Sequence, residues 1–97
     1  RSFMASLSRR KRVCIISDDH EKIRDYIVNK IVRGCSLYEV TGGYRGEKRM
    51  EIQSLLTKDE FSDLMNFIRE NDIPAFITAG NVSEVYGLWS EHKRHRA

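Results

Sequence analysis

The sequence predicts an α+β domain whose elements run β-α-β-β-α-β, and three observations predict it. Two short apolar runs, Val13-Cys14-Ile15-Ile16 and Ala75–Thr78, lie toward the two ends of the chain and are flanked by turn formers or proline. Two longer stretches repeat apolar residues at helical spacing: Ile23, Ile27 and Ile31, then Phe61, Leu64, Met65 and Ile68. Between those stretches, two β-like segments flank a glycine-rich connection. With 97 residues, 40% hydrophobic, the chain is too apolar for disorder and has room for one core between two layers.

The first strand, Val13 to Ile16, is apolar at consecutive positions and ends at Ser17-Asp18-Asp19. Asp18 or Asp19 then caps a helix, where a carboxylate is favoured by the helix dipole. The isoleucines at 23, 27 and 31 form the helix's buried ridge, and Gly34 is expected to stop it in the left-handed conformation. Cys35 to Val40 reads as the second strand and Met50 to Leu56 as the third, joined by a hairpin through Gly42, Gly43 and Gly46. Thr57 and Glu60 form a T-x-x-E capping box that opens the second helix. Phe67 lies off that helix's apolar stripe, and Pro74 is expected to end the helix. Ala75 to Thr78 is the fourth strand, and Val82, Val85, Tyr86 and Trp89 predict a short helix weakened by Gly87.

This order fits a ferredoxin-like sandwich: a four-stranded antiparallel sheet, order 4-1-3-2, with both helices on one face. The expected organisation is a basic leader at 1–12, the domain at 13–87 and a basic tail at 88–97. Strands that are apolar on both faces, with helices on only one, predict a homo-oligomer, dimer or trimer, through the other face. In the order 4-1-3-2 a whole strand separates Cys14 from Cys35, so no disulfide is expected, and two buried reduced thiols are.

The formal net charge of +3 sits in the two ends. Residues 1–12 carry five cations and no acid, and 91–97 carry Lys93, Arg94 and Arg96 against Glu91, so the stretch between them is net acidic. A mildly acidic body is a poor surface for tracking phosphates, and nucleic-acid binding is not expected of it. The basic ends suit a membrane surface at least as well. No segment has the roughly 20 apolar residues of a membrane span, and the start lacks the apolar core of a signal peptide. The chain opens on Arg1, as a piece of a longer chain would, with Met4 as an internal start.

Chemistry-bearing constellations are sparse. Asp18-Asp19-His20 looks like a metal cluster on paper, yet helix capping explains both aspartates, and His92 and His95 are expected to be solvated. No nucleophile, base and orienting group fall together, so neither an enzyme nor a cofactor is expected.

Ile15-Ile16-Ser17-Asp18 behind a basic leader, Arg33-Gly34, the glycine run at 42–46, Pro74-Ala75-Phe76-Ile77 and Val82-Ser83-Glu84-Val85-Tyr86-Gly87 together carry a resemblance. The chain resembles the soluble C-terminal domain of unknown function of YitT-type bacterial membrane proteins, from about Arg9 to Gly87. The resemblance implies a domain that follows a multi-span membrane region on the cytosolic face of the bacterial cell membrane. It also implies kinship with PII-like domains, many of which bind small ligands between subunits. Arg9, Arg10, Lys11 and Arg12 would then lie just inside the membrane. Trp89 and the basic tail depart from the family pattern.

Gly42, Gly43, Tyr44, Arg45, Gly46 and Lys48 are the candidate ligand-binding residues. The glycines let backbone N–H groups approach an anion, Arg45 and Lys48 add charge beside Arg49, and Tyr44 offers a ring for stacking. A plain hairpin with glycines in its turn explains the same residues. Two readings follow: a ligand-sensing domain taking a small anionic or nucleotide-like molecule, or a homo-oligomerisation module without a ligand. Nucleic-acid binding through the tails is a weaker third.

Overall fold

The computed structural model describes residues 10–87. The elements are β1 (Arg10–Ile16), α1 (His20–Asp25) running directly into a π-helical segment (Tyr26–Ile31), β2 (Ser36–Thr41), β3 (Lys48–Thr57), α2 (Lys58–Glu70) and β4 (Phe76–Val82). The sheet order is β2-β3-β1-β4 and every neighbouring pair is antiparallel, which is the expected 4-1-3-2 sandwich read from its other edge.

One face of the sheet carries the core. Val13 and Ile15 from β1 and Ile52 and Leu56 from β3 meet Ile23, Ile27 and Ile31 from the first helix and Leu64 and Ile68 from α2. Ile23, Ile27 and Ile31 of the first helix's expected ridge are buried, as are Leu64 and Ile68 of the second helix's stripe, while Phe61 and Met65 of that stripe are half-buried against the core. In a helix of 3.6 residues per turn, each four-residue step overshoots the turn by about 40°. The wider π turn after Tyr26 offsets that drift, which keeps Ile31 in line with Ile23. Phe67, off the α2 stripe, stacks on Tyr26 with ring centroids 4.0 Å apart and so bridges the two helices.

The helix ends differ from expectation in instructive ways. Gly34 does not stop the first helix; Val32 does, at φ 64 and ψ 56, with the Val32 and Arg33 amides both donating to the Ile27 carbonyl. A β-branched residue in the left-handed region is strained, and its chain neighbours Ile31 and Arg33 are both buried. Neither aspartate caps α1 through its side chain: Asp19 holds the N-cap position without a side-chain bond. The Asp19 amide instead donates to Ser17 Oγ at 3.0 Å. The Thr57–Glu60 box forms as expected, with both reciprocal bonds present. The second helix is closed before Pro74 by a Schellman motif, with Asp72 at φ 52. There the Ile73 amide donates to Ile68 and the Asp72 amide to Arg69, both at 3.1 Å.

A buried ion pair, of which the sequence carries no direct sign, ties the two helices together. Arg33 Nε donates to both carboxylate oxygens of Glu60, at 3.1 and 3.0 Å. Glu60 therefore serves the capping box and the ion pair at once.

The paired strands β1 and β4 run well past their expected bounds, and one expected element does not form among the described residues. β1 starts at Arg10, so Arg10, Lys11 and Arg12 are strand residues flanked by β3 and β4 rather than a leader outside the domain. Lys11 points to the helix side, 5.8 Å from the centre of the Phe61 ring. β4 runs on to Val82, pairing with that extended β1, and residues 83–86 have no regular structure, so the helix expected from Asn81 does not form there. Arg9, Trp89, His92, His95 and the rest of the basic tail lie outside the described residues. The two cysteines are unbridged and half-buried rather than buried. Desolvation pushes both thiols above the ordinary cysteine range, helped at Cys14 by Glu51 and opposed at Cys35 by Arg24.

Candidate functional site

Antiparallel pairing gathers four chain segments at one end of the sheet: the end of β1, the start of β4, the end of β2 and the start of β3. Ser17, 1% exposed, locks two of them. Its hydroxyl donates to the Pro74 carbonyl at 2.6 Å while accepting the Asp19 amide, so the turn into α1 and the approach to β4 are held together. Beside this lock Arg49 reaches across from β3 to Asp18, Nη2 to Oδ1 3.3 Å. The Asp18 side chain is 93% exposed, so the pair is screened and easily parted.

A groove opens on each side of that pair. The larger, about 270 Å³, has an apolar wall of Ile16, Pro74 and Phe76 and a charged lip of Asp18, Asp19 and Arg49. The smaller, about 170 Å³, is polar and is lined by Ser17, His20, Glu39 and Lys48 together with Asp18 and Arg49. A ring against Phe76 and Pro74 with an anion at Arg49 and Lys48 is the chemistry this arrangement can hold.

Of the residues expected to bind a ligand, Lys48 lines a groove and the other five lie in the hairpin beyond it. Two of the hairpin amides serve the turn itself: the Gly42 N–H donates to the Glu47 carbonyl at 2.7 Å and the Gly46 N–H to the Gly42 carbonyl at 2.9 Å. Gly46 sits at φ +78, so the turn itself requires a glycine there. The Glu47 carboxylate covers Gly42, 2.5 Å from where a Cβ would stand, so a side chain at 42 would have to push it away. Tyr44 is 92% exposed, with the Arg45 guanidinium 5.9 Å from its ring. The turn thus takes the Gly42 and Gly46 amides of the expected cradle, and both grooves lie at the hairpin's base. Sequence reasoning missed Asp18, Ser17 and Phe76 as site residues; the signal for Arg49 was its place beside Lys48.

A family model described as an uncharacterized protein conserved in bacteria, DUF2179, matches residues 33–87. The chain is 32% identical over 77 residues to an uncharacterized protein in the cccA 5′ region of Bacillus sp. (strain PS3), covering 79% of this chain and 51% of that one. It is 28% identical over 80 residues to the UPF0750 membrane protein YvjA of Bacillus subtilis (strain 168), covering 82% of this chain and 28% of that one. The chain thus spans about half of the first relative and under a third of the second. Among the described residues no helix is long and apolar enough to cross a membrane.

The fold matches that of a DUF2179 protein from Eubacterium ventriosum, TM-score 0.63 at 21% identity, over 73% of this chain and 97% of the other. It also matches a protein from Thermus thermophilus named as PII-like and signaling, TM-score 0.63 at 13% identity, over 86% and 94% of the two chains. CPII of Thiomonas intermedia K12, solved bound to ADP, AMP and acetate, follows at TM-score 0.56 and 10% identity, over 82% and 93%. At these identities the likeness speaks for the fold alone.

Proposed function

The chain belongs to the DUF2179 family, and from that premise we propose that it is the C-terminal, ligand-sensing regulatory domain of a YitT-type multi-span membrane protein. It lies on the cytosolic face, self-associates and catalyses no reaction. The observation that carries the ligand is the pair of grooves meeting at Arg49 and Asp18, at the base of the 42–47 hairpin. An aromatic wall next to a cation that a weak, exposed pair can release suits a small anionic or nucleotide-like molecule. Binding would draw Arg49 from Asp18 to the anion and so couple the groove to the hairpin. That CPII was solved with ADP and AMP supports testing adenine nucleotides first.

The direct experiment is thermal denaturation with AMP, ADP, ATP and simple phosphate. A ligand at 100 times its Kd adds about 2.7 kcal/mol to stability. The expected result is stabilisation by at least one nucleotide that disappears in Arg49→Ala. No shift with any of them would overturn the ligand.

A second reading, a homo-oligomerisation module without a ligand, is favoured by the sheet's other face. Among the described residues no helix lies on that face, and Phe76 there is 66% exposed.

A further inference from the structure

The strand register sorts the open face into rows. Antiparallel partners share a face, so Gln53, Cys14 and Thr78 form one row across β3, β1 and β4. On one side of it lie Glu51, Ile16 and Phe76, and on the other Leu55, Arg12 and Gly80. The two flanking rows are complements of each other. One is acidic and bulky; the other is basic and has a glycine at its end.

We infer that two copies of this chain meet through the open face, strands antiparallel, about a two-fold axis that lies between the sheets and runs along the Gln53–Cys14–Thr78 row. The inference rests on the self-association in the reading above, and it shares Ile16 and Phe76 with the wall of the larger groove. Such an axis lays each flanking row over the opposite row of the second copy. Phe76, 66% exposed, then rises over the second copy's Gly80, where no heavy atom lies within 4 Å of the place of a Cβ. Glu51 lands on the second copy's Leu55, one strand spacing, about 4.8 Å, from its Arg12. Ile16 rests on the stem of that arginine. The arginine head, bonded to Gln53 at 3.3 Å on the exposed surface, needs only a side-chain rotation to reach Glu51.

Symmetry makes every contact twice, so two aromatic-on-glycine seats and two ion pairs form from one set of residues. An axis running along the strands would instead lay each row on itself. Glu51 would then face Ile16 and Phe76, and Arg12 would face Leu55 and Gly80, which buries both charges away from an opposite one. Charge complementarity therefore selects the antiparallel arrangement.

The test is sedimentation of the 97-residue chain across the micromolar range, with variants checked for fold by circular dichroism. A dimer is expected. Glu51→Arg and Arg12→Glu should each raise its Kd by about tenfold or more, and the double charge swap should restore it to within a few-fold. Gly80→Leu, with open space around its Cβ, should leave the monomer folded and weaken the dimer by blocking the Phe76 seat. A monomer throughout overturns both this inference and self-association. A trimer, or an oligomer whose Kd none of these variants moves, overturns this interface and leaves self-association standing. Single swaps that weaken the dimer without rescue by the double overturn the antiparallel axis.

Discussion

The two faces of the sheet are built from the same strands and do opposite work. On the helix side Val13, Ile15, Ile52 and Leu56 are 0–1% exposed, and all four belong to the cluster that the helices complete. On the other side their sequence neighbours Cys14, Ile16, Glu51, Gln53 and Leu55 are only half-buried, and apolar, acidic and basic residues share the rows. A face that is dry and apolar contributes stability but carries little information, because one aliphatic contact resembles another. A face of mixed charge and size contributes less to stability, and it can specify what docks on it and in which orientation.

Substitutions on and around the two faces test that contrast, from the largest effect to the smallest. Glu60→Leu leaves the Arg33 guanidinium buried without its carboxylate and removes half of the capping box. Urea denaturation should register a loss of about 3–5 kcal/mol. A loss under about 1 kcal/mol would mean that water reaches the pair and that the covered side is not uniformly dry.

Ile15→Ala and Ile16→Ala compare the faces at adjacent positions. The first should cost about 2–5 kcal/mol and the second, measured on the monomer, under about 1. Equal losses in the same denaturation experiment would erase the distinction.

Thr57→Ala, where β3 passes into α2, should cost about 1 kcal/mol by thermal melting, the usual value of a lost N-cap. No change would show that the Glu60 side of the box suffices. The smallest effect is a gain. Asp72 is exposed at φ 52, so Asp72→Gly should relieve left-handed strain and stabilise by about 0.5 kcal/mol. Destabilisation there would mean that the aspartate side chain contributes more to the α2 terminus than its backbone costs.

The covered face was legible from the start. Isoleucine at every fourth position, the i, i+3, i+4, i+7 stripe of α2 and the T-x-x-E box are local signals, and each describes contacts within a few residues. What failed were inferences that depend on distant partners. Arg10 to Arg12 read as a leader because their charges resemble a juxtamembrane segment, yet β3 and β4 hold them in the sheet. Residues 79–82 have no strand-like alternation, and β4 extends through them because an extended β1 offers its free edge. Gly34 was the obvious helix stop, and Val32 took the role because the π turn ends two residues earlier.

The candidate site divided the same way. Glycines and cations between two strands mark a hairpin in any sequence, and the hairpin formed. That the turn would take the Gly42 and Gly46 amides depended on how residues 42–47 close on themselves, with Glu47 folded back over Gly42. Arg49 and Asp18 are 31 residues apart in sequence and meet only because β1 and β3 are neighbours.

The sequence by itself determined the element order and the buried stripes of both helices, because periodicity and capping act over one or two turns of chain. The sheet order followed from fitting that element order to a ferredoxin-like sandwich. Tertiary structure alone decided the Arg33–Glu60 pair, the grooves at Arg49 and the rows of the open face. Each of these depends on strand register and helix placement, where a shift of one residue turns every side chain to the opposite face.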